Sequence, residues 1–204
     1  MKKMKVFALA LCFIAGLSLT AFAQDTTTTS TTTTSTTQRS LYDRLGGVDA
    51  ITKVIDEFAS RVVADDRINK KFAKTDVPRL RLHLIEFVCK ATGGPCEYTG
   101  LSMKASHKNM KVTDGEFNAL VEDLGAALDK LGVGAQEKQD LVAALGPLKP
   151  DIVELPGDNS TGNALPPNFK PAKKLSAAQI AAGPKMKGAA STTGKKKKEK
   201  RTTE

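Results

Sequence analysis

LSMKASHKNM, Leu101 to Met110, carries one of only two histidines in this 204-residue chain, and its reading decides the fold. A loop rich in glycine and proline, GGPCEYTG (Gly93 to Gly100), leads into it. Met103 and His107 are four residues apart, so a helix here puts both on one face. The other histidine lies in DVPRLRLHLIEFV, Asp76 to Val88, where Leu80, His83, Leu84 and Phe87 share a helical face. Each imidazole therefore sits on a segment that reads as an amphipathic helix. Two imidazoles on apolar faces suit a flat, apolar, iron-containing ligand held between them.

The flanking chain supplies the rest of a small helical body. LYDRLGG is a short apolar turn closed by Gly46 and Gly47. The run Val48 to Asp66 then spaces Val48, Ile51, Ile55, Phe58 and Val62 as one helical stripe. RINKKF makes a turn carrying Phe72. Asp76 suits a helix cap with Pro78 in the first turn, and Gly93, Gly94 and Pro95 end that helix after about Ala91. Beyond His107, Thr113 and Glu116 have capping-box spacing. The helix they open carries Phe117, Leu120, Val121, Leu124, Leu128 and Leu131, and breaks at Gly132 and Gly134. A last helix carries Leu141, Val142, Leu145 and Leu148 up to Pro150. Nothing alternates in the manner of a strand, so the fold class is all-α, with four principal helices and a small core.

Charge separates this body from its ends. Net charge is +9 overall, but residues 1–23 contribute +3, residues 156–204 contribute +8, and the middle is −2. The body is not a nucleic-acid footprint. Residues 1–23 read as a secretory signal: basic MKKMK, a short apolar run, then small residues at Ala21 and Ala23. Export to a periplasmic or secreted location follows as an expectation, with a retained membrane anchor as the rival. Residues 24–39, nearly all Thr and Ser at first, read as a disordered linker, and residues 156–204 as a disordered Lys-rich tail able to contact anionic surfaces. Export leaves Cys89 and Cys96 in an oxidising compartment, either as a small disulfide or as two free thiols. No CxxCH occurs, so attachment of haem of the c type has no support.

Over residues 40–155 the chain resembles the truncated haemoglobins, and among them the first group of two-over-two globins. LYDRLGG, the run DEFASRVVADDR (Asp56 to Arg67), Phe72, Gly93 to Gly100 and the pair Met103 and His107 fall in the family's order. The spacing is gap-free through His107. The resemblance implies a globin-like sandwich of α-helices, two over two, around non-covalently held haem b. It implies His107 as the proximal iron ligand and Phe72 packed on the haem face. Leu80, Leu84 and Phe87 would wall the distal side. Thr75, Arg79, Tyr98 and Met103 would lie near the haem edge, and Val112 and Phe117 would pack its far side. His83 matches the position that supplies a second axial imidazole in similar cyanobacterial members.

Two departures qualify this picture. Family members that hold oxygen tightly usually have a tyrosine where this chain has Ala59, and often a glutamine at the positions of Leu80 or Leu84. Lacking those donors, the pocket forfeits hydrogen bonds worth roughly 1.5–3 kcal/mol each to a charged group, so faster oxygen release is expected. For His83 three readings stay open: sixth iron ligand, hydrogen-bond donor to a bound diatomic or a propionate, or surface residue. The expected function is reversible binding of O2, NO or CO at haem iron, with an unidentified reductase or electron partner and a monomeric state. A nitric oxide dioxygenase or weak peroxidase is the enzymatic alternative, and a haem-free helical module the structural one.

Overall fold

Glycines, prolines and capping side chains cut the chain into its helices. The computed structural model describes residues 39–188. The signal read over 1–23, the linker up to residue 38 and the basic end from residue 189 lie outside the described residues. Ser40 caps α1 (Leu41–Leu45) by accepting the Asp43 N–H, and Gly46 ends it at φ 96°, a conformation that favours glycine. α2 (Gly47–Ala64) buries Ile51, Val54, Ile55, Phe58 and Val62. Fully burying a side chain such as Ile51 or Ile55 contributes about 1.5–3 kcal/mol.

A 3-10 turn, Asn69–Phe72, leads to α3 (Val77–Ala91), which Asp76 caps by accepting the Arg79 N–H with proline in the first turn. α3 then runs into a loop stapled to it by a disulfide between Cys89 and Cys96, whose Cα atoms are 5.8 Å apart. Of the two readings left open for these cysteines, the bonded one holds here. α4 (Met103–His107) is shorter than the quoted stretch suggests. Ser102 caps it, Lys108 is extended, and Asn109 and Lys111 take positive φ, so the chain turns away directly after His107.

α5 (Asp114–Lys130) opens on the full reciprocal capping box of Thr113 and Glu116. The last helix expected from the sequence divides. α6 (Ala135–Leu145) gives way at Gly146 to a 3-10 turn, Gly146–Leu148, and then to α7 (Lys149–Ile152). Pro147 and Pro150 explain the break, because neither offers an N–H to a continuing α-helix. There are no strands among the described residues, only isolated bridges of Cys96 with Met186 and Thr113 with Leu155.

α2 is the hub: it packs on α3 and on α5, while α1 lies on α2 and α6, and α4 on α7. Ile51, Val54, Ile55, Ile85, Val88, Leu128 and Leu141 form one core cluster. Phe58, Val62, Ile68, Ala119 and Ala127 form a second, and Leu84 and Leu124 pack against both.

The segment from Pro156 departs from its expected disorder. As far as residue 188 it lies along the body as a strap. The Gly162 N–H donates to Arg67 O at 2.6 Å, Glu97 N–H to Lys185 O at 2.7 Å, and Lys187 N–H to Pro95 O at 2.6 Å. Arg79 donates to Lys173 O at 3.0 Å. A short helix, α8 (Ala177–Ala181), rests on α3, and Met186 packs against the first core cluster. Composition missed this because hydrogen bonds to the strap's own main chain hold most of it, and those leave no apolar periodicity in the sequence.

Candidate functional site

α3 presents different residues on different sides. Leu82, Ile85, Val88 and Cys89 are buried in the body. Leu80, His83, Leu84 and Phe87, the stripe singled out from the sequence, are only half-buried. Phe72, Thr75, Tyr98, Met103, His107 and Phe117 are half-buried as well, whereas Val112 is buried. Apolar side chains left half-covered in this way suit a lining for a flat apolar group rather than a closed core.

On the α4 side, His107 Nδ1–H donates to Met103 O, one turn back, at 2.8 Å. Ser106 Oγ lies 3.1 Å from the same nitrogen and donates to the carbonyls of Ser102 and Met103. With Nδ1 protonated, Nε2 keeps its lone pair, the tautomer that a metal requires. Burial pushes the His107 pKa down, against smaller upward effects of the Met103 carbonyl and the charge of Glu154. The ring is thus neutral and fit to be a ligand near pH 7. Lys71 steadies this region. Its Nζ donates to Met110 O and Lys111 O, each at 3.0 Å, and pairs with Glu116 at 3.2 Å, both charges being buried. The turn that carries Phe72 is thereby tied to the loop after His107.

On the α3 side, His83 Nδ1 lies 3.2 Å from Glu86 Oε2, one turn ahead. Its Nε2 is buried and has no hydrogen-bond partner among the described residues. A buried ring nitrogen without a partner is costly unless something completes it. Haem iron fits that requirement. Glu86 is 1% exposed. Burial pushes its pKa up, but the Thr99 hydroxyl and N–H, His83 and the Lys185 N–H together outweigh that and leave it below the usual carboxylate value.

Tyr98 joins the two α3 aromatics, edge-on to Phe87 at 5.3 Å and to His83 at 6.1 Å between centroids. Its hydroxyl donates to Leu101 O at 2.6 Å, and burial, the largest influence, pushes its pKa up. Of the other edge residues, Arg79 is engaged by the strap and Thr75 lines a cleft of about 640 Å³ between residues 73–78 and 171–174. Phe117 lies under Lys149, whose Nζ is 5.2 Å from the ring centroid. His83 and His107 share no hydrogen-bond partner.

Sequence reasoning passed over Glu86 and Thr99. The available signal was a glutamate three residues after a histidine, on a helix read as amphipathic.

A helical body in this order, with α2 gripped between α3 and α5, defines a globin. The chain belongs to the bacterial-like globin family, which matches residues 40–154. It is 36% identical to a group 1 truncated hemoglobin of Mycolicibacterium paratuberculosis over 113 residues, covering 55% of this chain and 83% of that protein. It is 38% identical to one from Synechocystis over 108 residues, covering 51% of this chain and 84% of the other. The ferric truncated hemoglobin of Tetrahymena pyriformis superposes with a TM-score of 0.55 at 29% identity, over 56% of this chain and 98% of its own. A 2/2 hemoglobin from Synechococcus, solved in the cyanomet state with covalently attached heme, gives 0.54 at 31% identity, with the same coverage of 56% and 98%. Family membership implies a haem-binding globin that takes diatomic gases. The strap lies beyond the matched residues.

Proposed function

We propose that this protein holds non-covalent haem b between α3 and α4, with His107 and His83 as its two axial ligands, and that O2, NO or CO competes with His83 for the iron. The observation that carries the reading is the buried, partnerless Nε2 of His83 on the half-buried stripe of α3. His107 contributes a neutral ring oriented by Met103 O. Leu80, Leu84, Phe87, Phe72 and Phe117 shield the ring faces, and Thr75, Arg79 and Tyr98 border its edge. Haem supplies an iron that changes valence and takes a diatomic ligand; the protein sets its ligation and the polarity around it.

With Leu80 and Leu84 apolar, His83 is the polar side chain of the distal stripe. It must move aside before an external ligand enters, so apparent gas affinity falls by the fraction of protein with His83 released. That arrangement favours one-electron transfer, nitric oxide chemistry or sensing over bulk oxygen storage. The signal read over residues 1–23 and the disulfide-bonded Cys89 and Cys96 support an exported setting.

Haem titration of two variants tests this. His83→Ala is expected to retain haem and to convert the ferric spectrum from low-spin to high-spin, while His107→Gly loses the ability to retain haem. An unchanged ferric spectrum in His83→Ala removes His83 from the iron.

A further inference from the structure

Glu86 is a buried charge on the same turn of α3 as His83. Its desolvation is costly, and an apolar residue at this place on α3 would remove that cost. Its contacts show what it is used for. Oε2 lies 3.2 Å from His83 Nδ1, and accepts the Thr99 N–H at 3.0 Å and the Thr99 hydroxyl at 2.7 Å. Oε1 accepts the Lys185 N–H of the strap at 3.5 Å.

A neutral acceptor would be enough to tie the Thr99 loop to α3. A carboxylate on the imidazole does more. It accepts a hydrogen bond from Nδ1–H, leaves the lone pair on Nε2, and pushes electron density through the ring toward whatever Nε2 binds. The Thr99 hydroxyl is itself 3.5 Å from Nδ1, so Thr99 and His83 draw on one oxygen.

We propose that Glu86 is a positioning residue: its carboxylate fixes the tautomer and orientation of His83, strengthens that imidazole as an axial ligand, and biases the haem iron toward the ferric, two-histidine state. The proposal rests on the reading of His83 as the second axial ligand. Thr99 moderates the effect by occupying the same oxygen, and the Lys185 N–H brings the strap to the far side of the carboxylate. His107, by contrast, leans on an uncharged carbonyl. The imidazole backed by a charge is thus the one that has to leave.

The test uses the full chain loaded with haem. Glu86→Gln keeps the shape and removes the charge, and it is expected to stay ferric low-spin. Its ferric/ferrous potential should rise, and its ferrous form should bind CO about tenfold faster. Thr99→Val, at an exposed position, removes the hydroxyl from Oε2 while keeping the N–H, and should shift both readouts the opposite way, to a lower potential and slower CO binding. Opposite shifts in the two variants support the proposal.

If Glu86→Gln folds with an unchanged potential and CO rate, Glu86 is a structural buried charge and the proposal falls, while His83 ligation stands. If Glu86→Gln does not fold, Thr99→Val decides: a lower potential upholds the proposal and an unchanged one ends it. A His83→Ala ferric spectrum identical to wild type removes the underlying reading, and the proposal with it. That outcome is distinct from a failure at Glu86 alone.

Discussion

The two histidines stand in opposite surroundings. His107 ends a five-residue helix, and its Nδ1–H meets a main-chain carbonyl. His83 lies within a fifteen-residue helix, and its Nδ1 meets a buried carboxylate. Each side also holds one buried glutamate, but the two are employed differently. Glu116 is neutralised by Lys71 and joined to the capping box of α5, so it serves the scaffold around His107. Among the described residues Glu86 has no lysine or arginine side chain as a partner; its carboxylate meets His83 and Thr99. The short helix is steadied by buried ties to its surroundings, whereas on the long helix a buried carboxylate meets the imidazole itself.

The largest change expected from breaking that contrast comes at Lys71. Lys71→Met leaves Glu116 buried without its counter-charge and cuts the ties to Met110 O and Lys111 O. Losing one partner of a buried pair costs about 3 kcal/mol or more. Chemical denaturation should show that loss, and haem should leave faster because the loop after His107 loosens. If stability falls and haem release is unchanged, Lys71 serves the scaffold alone.

The disulfide sharpens the other side. Cys89 and Cys96 close a short loop just ahead of Thr99. Replacing both by serine should lower stability by about 2.5 kcal/mol, from the loop-closure entropy returned to the unfolded chain. CO binding should also become more heterogeneous, because the loop that holds Thr99 against Glu86 is freed. The measurement is a urea titration paired with flash photolysis.

The smallest effect belongs to the root of the strap. A hydrogen bond from Lys149 is the leading reason that the Asp114 carboxyl is held below its usual range, and the Ser160 N–H does the same for Asp158. Folded-state values depressed in this way give stability that is present above the unfolded value and lost as pH falls through the folded one. Residues 156–163 should therefore exchange amide hydrogens faster below about pH 4, while α2 and α3 remain protected. Loss of protection in the strap and the helices together would make the strap part of the core.

Much of this was legible in the sequence, for identifiable reasons. Asp76, and Thr113 with Glu116, announce helix starts because capping is local, and the stripe from Ile51 to Val62 is periodic. The family's order of motifs carried the fold. The placement of Glu86 beside His83 was not legible, because residues are covered on two sides of α3. Leu82, Ile85 and Cys89 are buried in the body while Leu80, His83 and Phe87 are half-buried on another side. A single-stripe reading assigns a charged residue between them to solvent. The strap escaped for another reason: apart from Met186, most of the contacts that attach it use its own main chain.

Everything above turns on whether both imidazoles reach one iron. The most direct measurement is the electron paramagnetic resonance spectrum of the haem-loaded, ferric wild-type protein near neutral pH. Ligation by His83 and His107 together predicts a low-spin signal of the two-imidazole type. A predominantly high-spin signal would mean that His83 stands away from the metal, and would contradict the account.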